Sequence, residues 1–281
     1  MKVALVNARS DFQQIYGDWN LSALDTRCPP LGLLHIAGCL RRQGHQPFIL
    51  DLQVDARPLD EIAGELIAGS YDLIGISAMT CNYRCAAALA GELKRNRYGG
   101  VIVTGGAHMS ARPAAAMAAA PGVDYGVIGE GEVTLQRLVE ALESGESTET
   151  LAGIVWRDGA GGITENHRRE PILDLDSLPL PAWDLLSGFP DAYPHSLLET
   201  RRLPAAAIMT SRGCPMRCTF CDQSVFGHRT RWFSADYILE MLRFLKRTMG
   251  IRDLMILDDN FLLDHDRLRL ICEGMIAERM D

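Results

Sequence analysis

The 281-residue chain has no apolar run approaching the roughly 20 residues that cross a bilayer, which excludes a membrane-spanning helix. It has no surplus of positive charge: 28 Lys and Arg stand against 36 Asp and Glu, for a net −8. That balance argues against a protein that coats nucleic acid or an anionic membrane. Met1-Lys2-Val3-Ala4-Leu5-Val6-Asn7 shows neither the apolar region nor the cleavage site of a signal peptide and reads as a strand, so a cytoplasmic protein is expected. No G-x-G-x-x-G follows that strand, which weakens a dinucleotide reading. No carboxylate stands at the end of the third strand, where a phospho-receiver needs one; Ser77 is there instead. No internal repeat or low-complexity tract stands out beyond the Ala-rich stretch Ala114–Ala120.

What is present is ordinary globular material, 47% hydrophobic and 23% charged, at a length suited to about two domains. The first 146 residues alternate short apolar runs with helical stretches. Strands are expected at Lys2–Val6, Gln46–Leu50, Leu73–Ser77, Val101–Thr104 and Tyr125–Ile128. Helices are expected at Leu31–Gln43, Leu59–Ala68, Cys81–Arg95, Ala111–Ala120 and Val133–Ser144. This rhythm predicts right-handed βαβ crossovers and a flavodoxin-like, doubly wound parallel sheet. Residues 147–203 form a hairpin around Asp158-Gly159 and then a proline-rich connector expected to run over the surface. From 204 to 281 the βα rhythm resumes, with strands at Ala205–Thr210 and Leu254–Leu257. A helix capped by Ser234 and stopped by Gly250 lies between them, and a last helix covers Asp266–Met280.

The strongest chemical signal is Cys214-Pro-Met-Arg-Cys218-Thr-Phe-Cys221, on a loop just past a strand. Three thiolates so close can hold three irons of one [4Fe–4S] cube, leaving the fourth iron open for chemistry. Zinc competes, with His228 as a fourth ligand, although structural zinc more often takes two separated pairs. The other cysteines, Cys28, Cys39, Cys81, Cys85 and Cys272, read as buried small hydrophobes. His35 and His45 read as structural; His108, just after Gly105-Gly106, stands at the mouth of a strand-end site. The carboxyl ends of the first domain's strands carry small residues: Ser77, Gly105, Gly106, Gly129 and Gly131, with Glu130 among them. Such ends let backbone approach a large, flat ligand.

The C-x3-C-x2-C run, with an aromatic before its last cysteine, resembles the signature of radical S-adenosylmethionine (SAM) enzymes. The resemblance implies Cys214, Cys218 and Cys221 as ligands of a [4Fe–4S] cluster, with SAM on the fourth iron. It implies reductive cleavage of SAM to methionine and a 5′-deoxyadenosyl radical, with Phe220, Asp258 and Asp259 near SAM. Ahead of the run, Pro29-Pro30-Leu31-Gly32-Leu33, Ile76-Ser77-Ala78, Gly105-Gly106 and Gly129-Glu130-Gly131-Glu132 resemble the cobalamin (B12)-binding domain that precedes many of these enzymes. The resemblance implies a corrinoid contacted by Ser77, Gly105, Gly106, Gly129, Glu130 and Gly131. The D-x-H-x-x-G stretch is absent, so cobalt would lack a histidine lower ligand. This is as in the group that includes the anaerobic magnesium-protoporphyrin ester cyclase and B12-dependent radical SAM methyltransferases.

The expected function is therefore a cobalamin-dependent radical SAM enzyme that methylates, cyclises or rearranges a small-molecule substrate at an unreactive carbon. A low-potential donor, flavodoxin or ferredoxin, would reduce the cluster. Rival readings are a non-catalytic corrinoid or Fe–S binding module and a tRNA-thiolating radical SAM enzyme. The acidic chain argues against the latter, and no nucleic-acid partner is expected. The family's partial (β/α) barrel has about six βα units, and only two are visible here. The reading thus expects a fragment, or a second chain that completes the barrel. Ile256, Leu257 and Ile271 should lie near an open edge, with residues 1–170 separable as a stable core.

Overall fold

The computed structural model describes residues 1–10, 27–194 and 200–280. In chain order its main elements are β1 (Lys2–Asn7), α1 (Leu31–Arg42), β2 (Gln46–Asp51), α2 (Leu59–Ala68), β3 (Leu73–Ser77), α3 (Tyr83–Arg95), β4 (Val101–Gly105), α4 (Ala107–Ala111), α5 (Pro113–Ala119), β5 (Tyr125–Val127), α6 (Gly131–Ser144), β6 (Ile154–Arg157) and β7 (Ile163–Glu165). There follow β8 (Ala205–Ile208), β9 (Ser211–Arg212), β10 (Arg231–Trp232), α7 (Ala235–Met249), β11 (Asp253–Ile256) and α8 (His265–Ala277).

Seven strands form one sheet in the order β2-β1-β3-β4-β5-β6-β7. The first five are parallel, and the hairpin β6–β7 adds two antiparallel strands, so the sheet continues past residue 146. Strand order reverses between β1 and β3, which opens a crevice at their carboxyl ends. Alternation along each strand separates two cores. Val3 and Leu5 join α1, α6 and the connector on one face, whereas Ala4 and Val6 join α2, α3 and α5 on the other. The helix expected at Ala111–Ala120 is present as α5, and a short additional helix, α4, precedes it; Pro113 cannot continue α4, so Arg112 divides the two.

The proline-rich stretch is not a surface strap. Leu175, Leu178, Ala182, Trp183, Leu186 and Tyr193 are all buried in it, and the Ala182 N–H donates to Leu34 O at 3.1 Å. Proline excludes regular structure but leaves apolar side chains free to dock. Residues 195–199 of this stretch lie outside the described residues. The second unit packs on it: Trp183 stacks with Phe244 of α7 at 6.1 Å. Phe233, Ile238, Met241, Leu242 and Leu245 share one hydrophobic cluster with Val3, Leu5 and Leu34. A separable core ending near residue 170 therefore does not describe this packing.

β8 pairs in parallel with β11, and β9 pairs antiparallel with β10. Ser234 caps α7 by accepting from Tyr237 N, and Gly250 ends it in the left-handed conformation. Ile256, the last residue of β11, and Leu257 after it are exposed as expected, but Ile271 is buried because α8 turns it onto α7. The cysteine expectation also needs correcting. Cys39 alone of the five is buried; Cys81 and Cys272 are exposed, and Cys28 and Cys85 are half-buried. Cys81 sits in the one-turn 3-10 segment Thr80–Asn82 ahead of α3, and Cys272 lies beside exposed Glu273 on α8.

Candidate functional site: a strand-end cavity walled by the cysteine loop

A cavity opens at the carboxyl ends of β1, β3, β4 and β5, beneath the start of α1 and α6. Ser77, Gly105, Gly106, Gly129, Glu130 and Gly131, scattered over 55 residues of sequence, all line it. Gly106 has to be glycine: its φ is +99°, and a Cβ there would stand 2.5 Å from Ala78 O. His108 does not line the cavity; its Nδ1 lies 3.2 Å from Thr80 Oγ1 and its ring 4.3 Å from that of Tyr83.

The far wall comes from the second unit. Met209, Arg212, Val225 and Phe226 line the same cavity, the last two from the loop that carries the cysteines. That loop spans residues 213–230 and is closed at its foot by the β9–β10 pair, in which Arg212 faces Arg231. Both arginines reach the Gly-Glu-Gly-Glu turn. Arg212 donates from Nη1 to Glu130 Oε1 at 2.7 Å and from Nη2 to Glu132 Oε1 at 2.6 Å. Arg231 donates from Nη1 to Glu130 Oε2 at 2.7 Å, and Ile172 N donates to the same oxygen at 2.9 Å. All four side chains are at most 5% exposed. Burial opposes the charge on Arg212, but the Glu132 and Glu130 carboxylates outweigh it and hold its pKa above the ordinary guanidinium value. Glu130 thus lines the cavity with both carboxylate oxygens already engaged by its own chain.

His35, buried within α1, also lines the cavity; its Nδ1 has no hydrogen-bond partner and its ring stacks on Phe233 at 5.7 Å. Burial, and then the nearby Arg212 charge, push its pKa down to about 3, so it is a neutral imidazole. From sequence alone His35 reads as structural, and Arg212, Arg231 and Phe226 do not stand out as site residues. The adjacency of Arg212 to Gly213-Cys214, and the second glutamate of the turn, were the available signals.

Cys214 is half-buried, and Cys218 and Cys221 are exposed on the loop, where Cys221 N donates to Cys218 O at 3.1 Å. Among the described residues no three His, Cys, Asp or Glu side chains stand in metal-holding geometry, so the thiols share a loop without being gathered. As a donor set, three accessible thiols within eight residues fit an iron–sulfur cluster. His228 is exposed on the same loop. Phe220 is 91% exposed. Asp258 accepts from Thr210 N at 2.6 Å, Thr210 Oγ1 at 2.5 Å and Ser211 Oγ at 2.7 Å, which ties the end of β11 to the chain after β8. Asp259 is exposed beside it.

Comparison with known proteins matches the two units separately. A family model described as the B12 binding domain matches residues 20–139, and one for the Radical SAM superfamily matches residues 208–278. An uncharacterized methyltransferase of Pyrococcus horikoshii is 32% identical over 256 residues, covering 89% of this chain and 54% of its own. The anaerobic magnesium-protoporphyrin IX monomethyl ester cyclase of Synechocystis is 30% identical over 254 residues, covering 90% and 49%. The chain therefore spans about half the length of the curated relatives it matches. Among solved structures, the cobalamin-dependent SAM radical enzyme OxsB superposes with a TM-score of 0.75 at 22% identity, covering 98% of this chain and 37% of that one. The radical SAM methyltransferase TsrM of Kitasatospora setae superposes at 0.74 and 20%, covering 99% and 52%. These two show a shared fold. The first unit, which forms the cavity, thus matches the B12 binding domain, and the second, which carries the cysteine loop, matches the Radical SAM superfamily.

Proposed function

We propose that this chain is the cofactor-holding part of a cobalamin-dependent radical SAM enzyme that acts on a small molecule at an unreactive carbon, by methyl transfer or by cyclisation. The observation that carries the reading is the shared wall: the strand-end cavity is closed by Val225 and Phe226 of the loop that bears Cys214, Cys218 and Cys221. A corrinoid in the cavity and a cluster on the loop would be neighbours. When bound, the reduced cluster supplies the electron that cleaves SAM, and cobalamin supplies a cobalt that carries a methyl group.

The chain's own residues bind and orient. Cys214, Cys218 and Cys221 would hold iron. Ser77, Gly105, Gly106, Gly129 and Gly131 offer backbone and small side chains to a broad ligand, and Glu130 lines the same cavity with its carboxylate held by Arg212 and Arg231. Phe220 and Asp259 are exposed and free to meet SAM, whereas Asp258 orders the strand ends. The absent D-x-H-x-x-G stretch argues for cobalt without a histidine lower ligand. A low-potential donor of the flavodoxin or ferredoxin type would reach the exposed cysteine loop. Among the described residues no helix is long and apolar enough to cross a membrane.

The test is anaerobic reconstitution of the full chain with iron and sulfide, followed by titration with hydroxocobalamin. The reading expects about four irons per chain, retained on gel filtration, and saturable cobalamin binding. A chain that takes up neither refutes it.

A further inference from the structure

Phe226 belongs to the cavity and to the cysteine loop at once. It lines the cavity, and the Arg212 guanidinium lies 5.4 Å from its ring centroid. Its carbonyl accepts from Arg231 Nη2 at 3.1 Å. Both arginines are anchored on Glu130, and Arg212 also on Glu132, so Phe226 is held against the first domain through its ring and its backbone. From there the loop is tied toward the cysteines. Gly227 N donates to Gln223 O at 2.9 Å, and Gln223 Nε2 donates to Met216 O at 2.9 Å, between Cys214 and Cys218. At the other end Gly213 sits at φ +82°, where a Cβ would stand 2.5 Å from Arg229 O and 3.1 Å from Phe226 O. The step into Cys214 is therefore packed directly against the backbone of Phe226.

We propose that Phe226, gripped by Arg212 and Arg231, is a positioning residue through which the strand-end cavity and the cysteine loop strengthen each other's ligand binding. The inference rests on the function proposed above. A ligand that presses on Phe226 fixes the far wall of its own cavity and, through Gln223 and Gly213, the shape of the loop. A cluster that gathers the three thiols fixes the same loop and so presents Phe226 to the cavity. Linkage makes the two effects equal: whatever factor the cluster adds to the cavity's affinity, the cavity ligand adds to the cluster's.

The experiment measures hydroxocobalamin affinity by equilibrium dialysis under anaerobic conditions, using the full chain with its iron–sulfur cluster reconstituted and after the iron is chelated away. In the wild type the loaded form should bind at least about five-fold more tightly, the lower end of typical allosteric coupling. Phe226→Ala should bring this ratio to about one, and Phe226→Tyr should restore it. A residue that merely supports the fold would weaken both forms alike and leave the ratio unchanged; that outcome overturns the proposal. If Phe226→Ala loses its circular dichroism spectrum, Glu132→Gln, which loosens Arg212 without touching the cavity ring, provides the same ratio and should lower it. A wild type that takes up both groups with a ratio of one overturns the coupling and leaves the proposed function standing. A wild type that takes up neither group overturns both.

Discussion

Glu130 and Arg212 stand 82 residues apart in the chain and meet at 2.7 Å, with their side chains 5% and 2% exposed. This contact joins the turn after the fifth parallel strand to the residue that precedes Gly213-Cys214. A buried ion pair contributes little net stability when it is intact, but leaves an uncompensated charge when one partner is removed. Here the consequence is larger because Glu130 serves three donors: Arg212, Arg231 and Ile172 N.

Glu130→Ala should therefore cost about 3–5 kcal/mol in unfolding free energy, and Glu130→Gln less, because the amide oxygen still accepts. Urea unfolding followed by circular dichroism measures both. A loss below about 1 kcal/mol for the alanine variant would show that water already reaches the two guanidinium groups.

The sheet was legible because β-strand alternation and helix periodicity are local properties. Leu5 and Val6 point to opposite faces whatever else the chain does, and Gly250 stops a helix on its own conformational preference. The strand-end residues were legible as a set, because a parallel sheet brings its carboxyl ends to one edge. What could not be read is what depends on pairing across distance. Nothing near Glu130 says that its partners are Arg212 and Arg231, and proline spacing does not reveal that Trp183 and Tyr193 will be buried. Cys214, Cys218 and Cys221 were legible as a motif, whereas the thiols themselves are not gathered by the fold.

Adjacent glycines in the cavity should respond differently to the same change. A Cβ on Gly105 would meet Val127 Cβ at 3.6 Å and Val127 O at 3.9 Å, both ordinary contacts, whereas one on Gly106 would stand 2.5 Å from Ala78 O at a φ of +99°. Gly105→Ala should be nearly neutral for folding, and Gly106→Ala should cost about 1–3 kcal/mol. Thermal unfolding of the two variants side by side decides it. Equal melting temperatures would mean that the loop after β4 moves freely to make room.

Replacing Cys214, Cys218 and Cys221 together by Ala should abolish iron uptake on anaerobic reconstitution, while Cys81→Ala with Cys85→Ala should leave it intact. Both sets should keep the wild-type circular dichroism spectrum, since Cys218 and Cys221 are exposed and Cys214 is half-buried. Colorimetric iron and sulfide analysis after gel filtration is the measurement. Iron retained by the triple variant would place the cluster elsewhere.

His35 should make the fold sensitive to acid. Its ring is stacked on Phe233, which in turn stacks on Tyr237 at 4.5 Å, and the charge that acts on it is that of Arg212, itself paired with Glu132 and Glu130. Burial and that charge hold the folded-state pKa near 3, while an unfolded histidine titrates near 6.5. Above pH 6.5 neither state takes up the proton, and the full stability is present. As the pH falls below 6.5 the unfolded chain binds a proton that the folded chain refuses, and stability drops by about 1.4 kcal/mol per pH unit until the folded imidazole also titrates. Between pH 7 and pH 5 this one residue should remove about 2 kcal/mol. His35→Gln abolishes that contribution, so the wild type should lose about 2 kcal/mol more than the variant over the same interval. Urea unfolding at the two pH values, with both proteins in the same buffers, reads the difference directly. Parallel losses in wild type and variant would mean that the imidazole is protonated in the folded state, with a partner on the cavity side of the ring.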